Sequence, residues 1–195
     1  MGGKSNEQPV ARHASMPSVS LHDRLLDAFS WHDGHADVWA WFRDGDLLAD
    51  LVTALAAPFA GARLTKIAAV EARGFLLGAP VAVALGCGFV AVRKDGALLA
   101  GEQFCATTLA DYRGRAHVLR LQRSALNPRD QVAVVDDWWE TGSQARAVRH
   151  LVEGAGATYR GSSIIVDQLP ETVRNTVAPV SSLLRADELP RQIGN

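Results

Sequence analysis

The chain has 195 residues with 20 basic and 21 acidic side chains and a formal net charge of −1. It is long enough to bury a substantial core as one domain, and it carries neither the basic excess of a nucleic-acid footprint nor that of a membrane-surface patch. No apolar run reaches the length of a membrane span, the N-terminus lacks the apolar core of a signal peptide, and the two cysteines, Cys87 and Cys105, have neither disulfide nor metal spacing, which points to a reducing, cytoplasmic setting.

Residues 1–19 are small, polar and interrupted by Pro, the composition of a disordered leader, which leaves 20–195 as a single domain. Leu21, Leu25, Leu26 and Phe29 then mark one face of a short helix that Ser20 is suited to cap. The stretch from Trp31 to Asp37 is a polar loop. Its two histidines, His32 and His35, have no further ligands at zinc spacing, so a solvated loop or a flap over a substrate is the better reading. Residues 38–42 (VWAWF) alternate bulk with Ala, as a short strand or part of a lid would. Asp44 or Asp46 caps a helix reaching Phe59, with Leu47, Leu48, Leu51, Val52 and Leu55 on its buried face.

A βαβ unit with a right-handed crossover follows: strand 64–70, a tight loop at 71–74, helix 75–85 and strand 88–92. The run Gly86-Cys87-Gly88-Phe89-Val90-Ala91 matches G-x-G-x-x-A, but these glycines end a helix and lead into a strand. That is the reverse of a dinucleotide-binding turn. Arg93 and Lys94 stand just past the strand end, where cations suit phosphate oxygens. Residues 96–114 are long and mixed, and 116–122 read as a strand.

Residues 131–135 (QVAVV) form a buried parallel strand with two carboxylates, Asp136 and Asp137, at its end. After Trp138 and Trp139 the chain turns through Glu140, Thr141, Gly142 and Ser143 into a helix over 144–153. Paired carboxylates accept hydrogen bonds from vicinal hydroxyls. Backbone N–H groups at a helix N-terminus favour a phosphate, and Gly142 permits close approach. The residue types alone leave two readings open, a phosphosugar site and an ordinary strand-to-helix turn with an acidic cap. Strand 162–166 ends at Asp167 and Gln168, and a short helix from Glu171 and a strand over 180–184 complete the domain.

The segment VVDDWWETGS resembles the phosphoribosyl-diphosphate (PRPP) motif of type I phosphoribosyltransferases. Val70-Glu71-Ala72-Arg73-Gly74-Phe75, followed by Val92-Arg93-Lys94-Asp95-Gly96, is similar to the paired pyrophosphate-binding segments of the adenine phosphoribosyltransferase branch, and the likeness runs from about Phe42 to Pro190. The resemblance implies a Rossmann-like α/β fold, a central mostly parallel sheet flanked by helices, with a small hood and a flexible hairpin loop. It implies transfer of 5-phosphoribose from PRPP to a purine-type base, adenine first, with release of pyrophosphate in purine salvage. Mg²⁺ would be bound through PRPP and waters near Asp136 and Asp137. A homodimer is implied, with small-molecule substrates and neither nucleic acid nor membrane as partner.

Carried onto this chain, the resemblance assigns Ala72, Arg73, Arg93 and Lys94 to pyrophosphate and implies a cis peptide at Glu71-Ala72. Asp136, Asp137, Glu140, Thr141, Gly142 and Ser143 go to ribose and its 5-phosphate, with Asp136, Asp137 and Glu140 as the catalytic set. Trp138 and Asp167 line the base pocket, and Asp111 and Tyr112 stand on the closing loop where relatives carry Leu-Glu-Tyr. Three departures concern the base. Glu140 replaces an Ala of the adenine enzymes and is expected to handle a proton on the base. Two Trp replace two aliphatics, with Trp138 turned to the pocket and Trp139 to the core. The hood is short. Hypoxanthine, guanine, xanthine or a specialised base therefore stay open as acceptors, and so does a non-catalytic PRPP-binding regulator, although that reading lacks a nucleic-acid-binding segment.

Overall fold

The apolar runs at 66–70, 88–92, 131–139, 158–167 and 180–185 assemble into one parallel sheet. The computed structural model describes residues 19–96, 98–108 and 116–191. In chain order the elements are α1 (Leu21–Ala28), β1 (Trp31–His32), β2 (His35–Ala36), α2 (Ala40–Arg43), α3 (Gly45–Ala56), β3 (Lys66–Val70), α4 (Arg73–Ala84) and β4 (Gly88–Val92). They continue with β5 (Gln103–Thr107), β6 (Val118–Gln122), β7 (Gln131–Trp139), α5 (Ser143–Gly154), β8 (Thr158–Asp167), α6 (Glu171–Arg174) and β9 (Val180–Arg185). The sheet order is β4-β3-β7-β8-β9. Strands β5 and β6 form an antiparallel hairpin tied to the end of β4 by paired backbone hydrogen bonds between Arg93 and Arg120, both 2.8 Å.

Strand β7 is central, and its side chains alternate as a pleated strand requires. Val132 and Val134 pack under α5 and the hairpin, with Val148, Leu151, Leu119 and Leu121. Ala133 and Val135 face the other layer, with Leu51 and Leu55 of α3 and Leu77 and Val81 of α4. Both faces are thus covered, which explains the near-continuous apolar runs. Beyond the two aspartates the phase reverses: Trp138 packs toward the α3–α4 layer and Trp139 toward the α5 layer.

Local chemistry sets the helix boundaries. Ser20 accepts a hydrogen bond from Asp23 N–H at 3.1 Å and opens α1, and Asp44, rather than Asp46, accepts from Leu47 N–H at 2.7 Å and opens α3. That helix passes into a 3₁₀ turn at Ala57–Phe59, where Pro58 cannot supply an N–H. Residues 38–42 are not a strand. Trp41 lies in the short helix α2, fully buried, with its indole N–H donating to the Leu25 carbonyl at 2.9 Å. The polar stretch before it is a two-stranded ribbon, β1 with β2, turned at Asp33 and Gly34, both at positive φ. Among the described residues no three His, Cys, Asp or Glu side chains gather as a metal-binding group, and no helix is long and apolar enough to cross a membrane.

Candidate active site

The functional side chains lie along the carboxyl ends of β3, β4, β7 and β8, the edge where a parallel α/β sheet binds ligands. Two adjoining cavities open there, of about 560 Å³ and 260 Å³, and both are lined by Arg73, Trp138 and Gln144.

The smaller cavity is built by the loop after β3. The Glu71-Ala72 peptide is cis, and the loop presents Ala72, Arg73 and Gly74 to the cavity, with Lys94 from the end of β4 and Asp136 and Asp137 from β7. Glu71 organises this corner. One carboxylate oxygen accepts from Arg93 Nε and the other from the Lys94 backbone N–H, each at 2.5 Å. Arg93 is therefore engaged with Glu71 and does not line the cavity, while Lys94 does. Gly74 sits in tight quarters, because a Cβ there would stand 3.0 Å from Asp136 Oδ1 and 3.4 Å from the Ala69 methyl.

Asp136 and Asp137 are 6% and 4% exposed. The Asp137 backbone N–H donates to Asp136 Oδ1 at 3.0 Å, and the Trp139 indole N–H donates to Asp136 Oδ2 at 3.3 Å. Burial, reinforced by the neighbouring Asp137 charge, pushes the Asp136 carboxyl well above the usual carboxylate range. Arg73 Nε lies 2.6 Å from Asp137 Oδ2, yet that oxygen is buried and accepts no aligned hydrogen bond. The pair is a charge contact that leaves the oxygen's directed acceptor capacity unused, a costly arrangement unless a ligand completes it.

The larger cavity holds the turn into α5. Thr141, Gly142, Ser143, Gln144 and Ala145 line it. Gly142 takes φ +70°, and a Cβ there would meet Val173 Cγ1 at 2.4 Å and Leu169 Cδ2 at 3.0 Å, so only glycine fits the turn. The first backbone bond closing the helix runs from Arg146 N–H to the Gly142 carbonyl at 3.0 Å, and at the positive end of this 12-residue helix the Ser143 N–H donates to Thr141 Oγ1 at 3.4 Å. The hydroxyls of Thr141 and Ser143 lie 3.1 Å apart at its lip.

Across this cavity stand Trp138, Glu140, Gln168 and the hood residues Trp31, His35, Ala36 and Val38. Trp138 is partly exposed and packs near Phe29, with ring centroids 6.4 Å apart, whereas Trp139 is 3% exposed in the core. The Trp138 indole N–H donates to Gln168 Oε1 at 2.9 Å. Asp167 is not brought to the cavity. It is fully buried, with Oδ1 accepting from Leu169 N–H at 2.9 Å and Oδ2 held by Arg174 and Arg185 at 2.7 and 2.8 Å. The next residue, Gln168, faces the cavity in its place. Asp111 and Tyr112 lie outside the described residues. Trp39, His35 and Gln144 also line the cavities. His35 and Trp39 fall in the stretches read as a flap or lid, whereas no local spacing marks Gln144, since the hood and the β7–α5 turn meet only through tertiary packing.

No family model matches the chain. It is 42% identical over 143 residues to an adenine phosphoribosyltransferase of a Nocardioides species, covering 70% of this chain and 76% of that one. Its fold superimposes on the adenine phosphoribosyltransferase of Rhodothermus marinus with a TM-score of 0.75 and 28% identity, covering 85% of this chain and 98% of the other. It also superimposes on the Saccharomyces cerevisiae enzyme, solved with an imino-altritol bisphosphate and adenine, with a TM-score of 0.73 and 30% identity over 84% of this chain and 98% of that one. With its PRPP-type motif at the strand end, its cationic loop beside it and these relatives, the chain belongs to the adenine phosphoribosyltransferase family, pentosyltransferases of the type I phosphoribosyltransferase fold.

Proposed function

We propose that this protein transfers the 5-phosphoribosyl group of PRPP to adenine, releasing pyrophosphate and forming the nucleotide. The observation that carries the reading is the pair of adjoining cavities. The smaller one, which carries Arg73 and Lys94 beside the two aspartates, is suited to a leaving pyrophosphate, and the one with a phosphate-type helix N-terminus and an aromatic wall is suited to a ribose phosphate joined to a flat base. The adenine bound to the yeast relative supports the choice of base.

In this reading the N–H groups and hydroxyls of Thr141, Gly142 and Ser143 hold the 5-phosphate. Asp136 and Asp137, rigid on β7, accept hydrogen bonds from the ribose hydroxyls and fix the ring over the junction of the cavities. Their negative charge favours the cationic sugar that develops as the C1–O bond lengthens. Arg73 and Lys94 take the charge growing on the departing pyrophosphate. Trp138 flanks the base. Glu140, at the mouth of the turn, handles the proton on the base nitrogen that attacks C1. The hairpin of β5 and β6 closes over the reacting sugar and keeps water out.

A magnesium ion fits this donor set. Two buried carboxylates, one with an unsatisfied oxygen, stand beside a polyphosphate pocket, whereas no three-ligand protein cage exists among the described residues. Asp136 and Asp137 would hold the ion's waters, with the remaining coordination from substrate oxygens. When bound, such an ion would neutralise charge on the leaving pyrophosphate. We place this activity in a cytoplasmic homodimer serving purine salvage, and sedimentation of the purified chain tests the dimer. A panel of adenine, hypoxanthine, guanine and xanthine with PRPP and Mg²⁺, scored by pyrophosphate release, tests the reaction. Release with adenine above all others is expected, and release with none of them refutes the proposal.

A further inference from the structure

The indole of Trp138 donates its N–H to Gln168 Oε1 at 2.9 Å, and both side chains line the larger cavity. An indole N–H can only donate, so the carboxamide of Gln168 cannot turn its NH₂ toward Trp138 without setting donor against donor. The amide is thereby held in one orientation. Its oxygen keeps a second lone pair and its NH₂ keeps both hydrogens for a ligand.

We infer that Trp138 and Gln168 together form a device that selects a 6-aminopurine over a 6-oxopurine, with Gln168 the specificity-determining residue and Trp138 the residue that locks its amide. The inference rests on the acceptor-base reading of the larger cavity given above. A 6-amino group donates to the free lone pair of Gln168 Oε1, while the adjacent ring nitrogen accepts from the amide NH₂. This is the two-point match by which a carboxamide reads adenine. A 6-oxo group instead sets one carbonyl oxygen against another. Flipping the amide would relieve that clash, but Trp138 forbids the flip. Discrimination thus comes from a repulsive contact with the wrong base as well as an attractive one with the right base.

The test is the ratio of kcat/KM for adenine to that for hypoxanthine, measured with PRPP and Mg²⁺ in the intact protein and in three variants. W138F keeps a smaller aromatic wall and removes the N–H, which frees the amide to flip, so the ratio falls on the order of tenfold or more, chiefly by a gain with hypoxanthine. Q168L removes both contacts and lowers the ratio to a similar extent, chiefly by a loss with adenine. Q168E keeps an acceptor for Trp138 but replaces the NH₂ with a second acceptor, and it loses adenine activity without gaining hypoxanthine. Gln168 is exposed at the sheet end, so its substitutions leave the core untouched. Ratios within threefold of the parent in W138F and Q168L overturn the inference while the phosphoribosyl-transfer reading stands. A fall in only one of the two overturns the coupling between them. A parent protein that consumes neither base refutes the functional reading itself.

Discussion

Replacing Gly142 with Ala tests whether the turn between β7 and α5 is built for close packing at a strained angle. The backbone there sits at φ +70°, which costs a residue with a Cβ about 1–2 kcal/mol. The new methyl would also lie 2.4 Å from Val173 Cγ1 and 3.0 Å from Leu169 Cδ2, and overpacking of this kind costs about 1–3 kcal/mol. Together they predict a loss of about 2–5 kcal/mol, a large part of the roughly 5–15 kcal/mol that holds a typical domain together. Urea unfolding followed by Trp fluorescence measures it. The packing share is separable, because Val173→Ala removes the nearest obstacle but leaves the angle unchanged. The double variant should therefore be less destabilised than the sum of the singles by about 1 kcal/mol or more. If the displaced N–H groups hold the 5-phosphate as proposed, KM for PRPP should rise more than kcat falls, since that phosphate does not react. A loss below about 1 kcal/mol with strict additivity would refute the reasoning.

Other consequences follow from the same geometry. K94A, which removes a cation lining the pyrophosphate cavity, should raise KM for PRPP by about ten- to a hundredfold, whereas R93A should cost less because Arg93 is engaged by Glu71; steady-state kinetics with PRPP varied compares them. E140Q and E140A should each lower turnover with adenine on the order of a hundredfold if Glu140 handles the base proton, and near-parental turnover in both would remove it from the mechanism. Asp136 supplies negative charge to the cationic sugar only when ionised, and burial and the Asp137 charge raise its pKa. The acid limb of kcat/KM for PRPP should therefore lie above the usual carboxylate range and shift to lower pH in D137N. The same shift bears on stability. A raised folded-state pKa means that the contribution of Asp136 is full below the unfolded carboxylate value and is lost as the pH rises through the folded one, so thermal melts of the parent should show a steeper decline across that window than those of D136N.

Much of the sheet, and the meeting of two acids with the turn into α5 at one strand end, is legible because it is encoded locally. The strand at 131–139 is continuous in apolar side chains, Asp44 stands at the capping distance from Leu47, and the turn residues Thr141 to Ser143 follow two acids at a strand end. What escaped depends on partners far away in the chain. Residues 38–42 alternate as a strand would, yet no strand among the described residues pairs with them, and Trp41 lies instead in a helix with its indole bonded to the Leu25 carbonyl of α1. Asp167 has the right address for the base pocket but the wrong direction: Arg174 and Arg185 capture its carboxylate, and the pleat hands the cavity to Gln168. Arg93 was assigned to pyrophosphate on its charge and position, but nothing local reveals that Glu71, 22 residues earlier, engages its guanidinium.

In the proposed reaction two adjoining cavities divide PRPP between a leaving pyrophosphate and a phosphoribosyl group passed to adenine. It is tested most directly by mixing the purified protein with PRPP, Mg²⁺ and isotopically labelled adenine and following both products together. One labelled adenosine monophosphate formed for each pyrophosphate released is the predicted result. Pyrophosphate release without labelled nucleotide, or neither product at any protein concentration, would contradict it.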